Sequence, residues 1–344
     1  MRIMIGIGHP KQVHIWRNVI KNLISDGHEI KIIASNKDIT RYLLDTYGFH
    51  YELLPNYTTF AMKALGLVSG TIEITKIAKK FNPDVLIGGT PYFVYVAKIF
   101  NKPHITFSDT EHVAANKLLT YPFTDLICTP SCFKNVINIK KHLTFNGYFE
   151  LAYLHPNYFK PNPNVLKEMA LNINEKFIII RFVSWSASHD IGHSGIDDEI
   201  KMDLILKLKK HAKVFISSEK RLPSKFTKYL LKIAPEKFHD LLYYASLYVG
   251  EGGATASEAA ILGTPSIYVS SLKGTMGNFE ELEEKYHMVY ALNDSKDVIL
   301  KATDLLKTNN IKDIWKVKRD YLISDKIDVS NFLVNLIENY SKIK

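Results

Sequence analysis

The sequence predicts an α/β protein of two doubly wound domains, each built on a parallel sheet. Three observations lead there. At 344 residues the chain exceeds the size at which a single hydrophobic core keeps growing, so two domains are expected. Short β-branched runs alternate with segments of helical length in both halves, which is the pattern of βαβ units. Between the halves Pro156, Pro161 and Pro163 suppress both helix and sheet pairing. The expected division is therefore 1–155, a linker at 156–164, a second domain over 165–328, and a terminal amphipathic segment over 329–344.

In the first half the strand-like runs are 2–8, 29–35, 84–89, 104–108, 126–130 and 143–148. Between the first two, Val13, Trp16, Val19, Ile20, Leu23 and Ile24 recur at helical spacing, and Asp26-Gly27-His28 supplies the stop. The second half repeats the pattern with strands at 177–183, 214–217, 247–250, 266–269 and 288–292. Helices are expected over 198–211 and 225–233. The segment 329–343 is amphipathic.

Composition narrows the class. Apolar residues make up 46% and charged residues 23%, ordinary values for a globular chain with a sizeable core. Cys128 and Cys132 are the two cysteines; with no Cys/His spacing to complete a metal site, they predict small buried side chains and a reducing compartment. No run approaches the ~20 apolar residues of a membrane span, and no leader with a cleavage site opens the sequence. The expected location is cytoplasmic; the basic charge reads either as a solvated surface or as peripheral contact at the anionic inner face of the membrane. The net charge is +9, and residues 1–155 hold 17 Lys and Arg against 11 Asp and Glu. Without zinc-finger spacing or aromatic-rich recognition patterns, a nucleic-acid partner is not expected.

The most informative stretch is 248–269, which reads as strand, glycine turn, helix, Gly-Thr-Pro, and another strand. Gly250, Gly252 and Gly253 allow close approach of backbone to a ligand. A helix opening at Ala254 or Thr255 directs unpaired N–H groups and a positive dipole end at a phosphate. Glu258, one turn on, is suited to accept hydrogen bonds from the vicinal hydroxyls of a ribose. Read blandly, the glycines make a turn and Glu258 caps the helix.

The string Gly252-Gly253-x-Thr255-x-x-Glu258-Ala259, followed by Gly263-Thr264-Pro265, resembles the donor-binding motif of the B-type glycosyltransferases. That group includes the N-acetylglucosaminyltransferase that completes lipid II, and it is related to the non-hydrolysing UDP-N-acetylglucosamine 2-epimerases. Over nearly its whole length the chain also resembles a prokaryotic family of proteins of unknown function placed among the B-type enzymes, at residues 108–112, 185–193 and 251–259. The resemblance implies two Rossmann-like domains facing a cleft, with the segment 329–344 as a helix packed back on the first domain. It further implies a nucleoside diphosphate sugar as donor, UDP-linked, a glycan or lipid-linked acceptor on the first domain, and no metal or cofactor.

Other residues fall where open α/β sheets bind ligands, at the carboxyl ends of strands. His9, Lys11 and His14 follow the first strand; His9 is a catalytic candidate, and Lys11 and His14 acceptor-side candidates, with His14 read equally as a structural histidine. Asp109, Glu111 and His112 follow the run at 104–108, and two carboxylates beside an imidazole are suited to proton transfer. Ser184, Ser186, Ser188 and His189 follow the first strand of the second domain, where the resemblance places the donor diphosphate. Asn278 and Glu281 occupy the place of the Asp-Gln pair that grips the donor sugar in many transferases. Transfer is the leading expectation, with 2-epimerisation or non-catalytic nucleotide-sugar binding as alternatives.

Overall fold

A computed structural model describes residues 1–37, 39–55, 60–111, 118–134, 137, 139–183, 198–219, 221–270 and 274–343. The chain divides into two compact units, one of Met1–Tyr158 with Ile327–Lys344 and one of Phe159–Lys326.

The first unit holds a seven-stranded sheet: β1 (Arg2–Ile7), β2 (Glu29–Ser35), β3 (Tyr51–Leu54), β4 (Val85–Ile87), β5 (His104–Phe107), β6 (Leu126–Pro130) and β7 (His142–Phe145). Their order is β3-β2-β1-β4-β5-β6-β7, and every pairing is parallel. The sheet is flanked by α1 (Pro10–Ser25), α2 (Thr40–Thr46), α3 (Phe60–Phe81), α4 (Pro91–Ile99) and α5 (Leu151–Leu154). Ile3, Met4, Ile5, Leu86, Ile87 and Ile105 are fully buried, which is why these strands read as continuous apolar runs. Helix α1 begins with Pro10, which tolerates the first turn because its missing N–H would be unpaired there.

The second unit holds α6 (Asn164–Glu168), β8 (Phe177–Phe182), α7 (Asp198–Leu208), β9 (Lys213–Ser218), α8 (Phe238–Tyr244), β10 (Leu247–Gly250), α9 (Gly253–Ile261), β11 (Ser266–Val269), α10 (Gly277–Glu284), β12 (Val289–Leu292), α11 (Ser295–Lys307) and α12 (Ile311–Asp325). The strand order is β12-β11-β10-β8-β9, again all parallel. The chain then returns to the first unit as α13 (Val329–Ile343). There Ser330 Oγ donates to the Ala152 carbonyl at 2.8 Å, Phe332 stacks on Phe145, and Glu338 lies 2.9 Å from His28.

Three local expectations are corrected. The stretch expected as a helix over 225–233 forms a 3-10 turn at Ser224–Tyr229 and then extends, with Leu231 N donating to the Ile216 carbonyl alongside β9. Pro223 at its start and the extended backbone of Leu230 stop an α-helix from propagating. Strand β3 was not expected. Of the two cysteines, Cys128 is fully buried but Cys132 is half-buried.

Candidate functional site

In the second unit the strand order reverses at β8 and β10: β9, next in sequence after β8, lies on one side, and β11, next after β10, on the other. Ligands of open α/β sheets bind at such a switch point, beyond the carboxyl ends of the two strands. The glycine turn leaves β10 there. A Cβ on Gly250 would sit 2.6 Å from the Arg181 carbonyl oxygen and 2.7 Å from the Tyr248 hydroxyl, so only glycine fits. Tyr248 Oη donates to the Gly252 carbonyl at 3.1 Å and fixes the turn from below. Glu251, 5% exposed, accepts the Val183 N–H at 3.1 Å, while its own N–H bonds the Arg181 carbonyl. The two strand exits are thereby joined.

Helix α9 opens at Gly253, one residue earlier than expected, with Gly252 as an N-cap that supplies no side-chain acceptor. The N–H groups of Gly253, Ala254 and Thr255 form the first turn, beside glycines that are only half-buried and an exposed Ala254. An anion would be held there by N–H donors and by the helix dipole. From Thr255 to Ile261 every residue is buried, so α9 runs through the core and its small side chains permit close packing. It ends on Gly263, whose φ of +79° and N–H bond to Ala260 O explain the glycine of Gly-Thr-Pro.

Glu258 points into the core: it is 6% exposed, and its Oε1 lies 3.0 Å from His239 Nε2 on α8. A buried carboxylate needs such a partner, and the contact fixes its rotamer. Asn278, in the first turn of α10, donates to Ser257 Oγ at 3.3 Å and so bridges α10 to α9. Glu281 lies 2.7 Å from Lys326 Nζ and forms an ion pair with it. Ser184, Ser186, Ser188 and His189 lie outside the described residues.

Sequence reasoning missed Arg181 and His239. Arg181, at the end of β8, lays its side chain against the glycine turn and donates to Ser217 Oγ at 2.7 Å and to Glu219 at 2.9 Å. Its one signal is a lone cation in the otherwise apolar Phe-Ile-Ile-Ile-Arg-Phe strand.

The first unit has its own cluster. His9 is the N-cap of α1, its Nδ1 accepting the Lys11 N–H at 3.2 Å, and Gly8 N donates to Gln12 Oε1 at 2.6 Å. Lys11 Nζ lies 2.6 Å from Asp109 Oδ2 and 2.9 Å from Glu150 Oε1. Three segments therefore converge: the start of α1, the exit of β5, and the N-cap of α5. Burial works against the Lys11 charge, but the two carboxylates outweigh it and hold the ammonium well above its ordinary pKa. Asp109 also resists burial, and Lys11 keeps its pKa below the ordinary value. Glu150 is 2% exposed, and burial together with Asp109 lifts its pKa in spite of Lys11. Glu111, 6% exposed, accepts the Lys134 N–H at 3.4 Å.

Of the three ion-paired groups, Lys11 and Asp109 were expected and Glu150 was missed. Glu150 belongs to no motif, and nothing in Gly-Tyr-Phe-Glu announces a buried charge. His112 lies outside the described residues. His14 is 7% exposed, with its ring 5.4 Å from Tyr153 and 5.9 Å from Tyr47, and Nδ1 3.3 Å from the Tyr47 hydroxyl. Its surroundings are those of a core histidine, and Lys11 is engaged in ion pairs instead of presenting an open ammonium.

Comparison with known proteins bears on the fold. An N-acetylglucosamine transferase of Halothermothrix orenii, named for transfer from UDP-N-acetylglucosamine to N-acetylmuramyl-(pentapeptide) pyrophosphoryl-undecaprenol, is 26% identical over 356 residues, covering 92% of each chain. The UDP-N-acetylglucosamine 2-epimerase of Neisseria meningitidis, solved with UDP-N-acetylglucosamine, superposes with a TM-score of 0.67 at 14% identity over 99% of this chain and 100% of that one. The spinosyn rhamnosyltransferase SpnG, solved with spinosyn aglycone, gives 0.63 at 12% identity over 99% and 100%. These likenesses show the fold: two Rossmann-like α/β units, as in the B-type glycosyltransferase fold. Residues 1–341 match the family described as "Protein of unknown function (DUF354)", and the chain belongs to it.

Proposed function

We propose that this protein is a glycosyltransferase that takes a sugar from a nucleoside diphosphate donor, UDP-linked, and passes it to a glycan or lipid-linked acceptor. The observation that carries the reading is the β8/β10 switch point, where a glycine turn with no room for a Cβ opens a helix lacking a side-chain cap. That arrangement suits a diphosphate, and Glu258 within the same helix suits a ribose. The Halothermothrix transferase, similar over 92% of both chains, supports transfer.

In this reading the C-terminal unit binds the donor and stabilises the departing diphosphate through the N–H groups of Gly253, Ala254 and Thr255. Such preorganised donors commonly supply the largest share of catalysis where charge develops on a leaving group. The N-terminal unit carries the groups that handle protons. No metal or cofactor is assigned a role.

A second reading, sugar 2-epimerisation, is favoured by the first-unit cluster. One carboxyl, Asp109, is held below its ordinary pKa and another, Glu150, above it. Environments that push two carboxyls apart in this way divide the roles of base and acid. The two readings separate on products. Incubation with UDP-N-acetylglucosamine and an acceptor should release UDP with sugar joined to the acceptor; conversion to the 2-epimer without an acceptor would favour the second reading, and neither product from any nucleotide sugar would contradict both.

A further inference from the structure

The net charge of the chain is +9, and the 37 residues from 201 to 237 hold eleven Lys and Arg against three Asp and Glu. That one stretch accounts for +8, leaving +1 for all the rest. It folds as most of α7, strand β9 at the edge of the second sheet, and the 3-10 turn beyond it. A shallow groove of about 550 Å³ opens there, lined by Lys209, Lys210, Lys213 and Lys228 with Phe215 and Tyr229. All four lysines are exposed. Lys213 has Glu175 at 3.7 Å; Lys209, Lys210 and Lys228 have no carboxylate within ion-pair distance among the described residues.

We propose that this β9 edge of the C-terminal unit is a docking face for an anionic phospholipid surface. Concentrated positive charge needs an anionic partner, and the groups present decide which kind. Ten of the eleven cations are lysines, compact point charges that match a diffuse anionic surface, whereas paired recognition of individual phosphates draws on the planar fork of arginine. Stacking of nucleic-acid bases needs free aromatic faces. Here Lys213 Nζ sits 5.7 Å from the Phe215 ring centroid and Lys228 Nζ 5.1 Å from that of Tyr229, so both rings already carry a cation.

Exposed aliphatic side chains border the lysines. Ile173 is 64% exposed, in the turn whose Ala170 carbonyl accepts from Lys213 Nζ at 3.4 Å. Leu206 is 41% exposed, one turn before Lys209 and Lys210. Apolar side chains among lysines suit the headgroup boundary of a bilayer, where the long stems lie flat and the ammonium groups reach the phosphates. The face lies at Lys213, the start of β9, and the glycine turn lies at the opposite, carboxyl end of the same sheet. The inference does not depend on the nucleotide reading.

The test is co-sedimentation of the full chain with vesicles of pure phosphatidylcholine, and with vesicles containing about one third phosphatidylglycerol. Two variants accompany it: the patch triple K209E/K210E/K228E, and a control triple on the first unit, K21E/K79E/K80E, which changes net charge equally. Circular dichroism checks that both are folded. The expected result is binding only to the anionic vesicles, weakened by salt, reduced at least about tenfold in the patch triple and little changed in the control. Failure to bind anionic vesicles, equal loss in both triples, or displacement from vesicles by an equal charge of single-stranded RNA would each overturn the proposal.

Discussion

His239 Nε2 lies 3.0 Å from Glu258 Oε1, and the two side chains are 5% and 8% exposed. The pair links α8 to α9 beneath the glycine turn and fixes the carboxylate on which ribose recognition is proposed to rest. Glu258→Ala should abolish any binding of UDP. His239→Phe should weaken it about tenfold and erase the preference for UDP over 2′-deoxy-UDP, because a carboxylate without its donor no longer holds one orientation. His239→Gln, which retains an N–H, should restore most of the preference. Titration calorimetry with the two nucleotides checks this; an unchanged preference in His239→Phe would show that the pair serves packing alone.

Lys11 neutralises two carboxylates at once. Lys11→Met leaves Asp109 and Glu150 facing each other without a cation, and removing one partner of a buried pair costs about 3 kcal/mol. The loss should depend on pH in a defined sense. Without the ammonium both carboxyls have folded-state pKa values above those of the unfolded chain, so the variant is most stable below the unfolded values and loses stability as pH rises. Urea unfolding near pH 5 and pH 7 should show the gap from wild type widening at the higher pH. A gap that is constant with pH would deny the charge account.

His104 in β5 is fully buried, its Nδ1 2.7 Å from Thr124 Oγ1. Burial lowers its pKa to about 3 from an ordinary 6.5, opposed by Asp125 and assisted by Lys98. The unfolded chain takes up a proton near 6.5 that the folded protein refuses, so stability falls as pH drops from there towards 3. Between pH 6.5 and about 5 this contributes a loss of about 2 kcal/mol. His104→Asn starts less stable but should lack that component; parallel stability curves for the two proteins would contradict the assignment.

Much of this was legible in the sequence, for physical reasons that vary by element. Strands such as Leu126–Pro130 and Leu247–Gly250 coincide with their apolar runs because both faces of a parallel sheet are covered. Strand β3, Tyr51–Leu54, was illegible: it is four residues at a sheet edge, with exposed Glu52 interrupting the run. The turn at Gly250–Gly253 announced itself because a close backbone approach demands a specific residue type. Glu150 and His239 did not, since a buried ion pair is made by partners distant in sequence: Lys11 with Glu150, Glu258 with His239.

The glycine turn itself can be tested by volume. At Gly250 an added methyl meets backbone, the Arg181 carbonyl oxygen at 2.6 Å. At Gly252 it meets the Arg181 side chain at 3.0 Å, which can shift. Gly250→Ala should therefore lower stability by about 1–3 kcal/mol and Gly252→Ala by less than about 1 kcal/mol. Thermal denaturation distinguishes them; a larger loss at Gly252 would refute the packing described at the switch point.

The central claim is that the β8/β10 switch point binds a nucleoside diphosphate. Isothermal titration of the full chain with UDP, alongside the Glu258→Ala variant shown by circular dichroism to be folded, tests it most directly. Saturable binding to the wild type that is lost in the variant is the predicted result. No heat and no thermal shift with UDP, GDP, CDP or dTDP would contradict the claim.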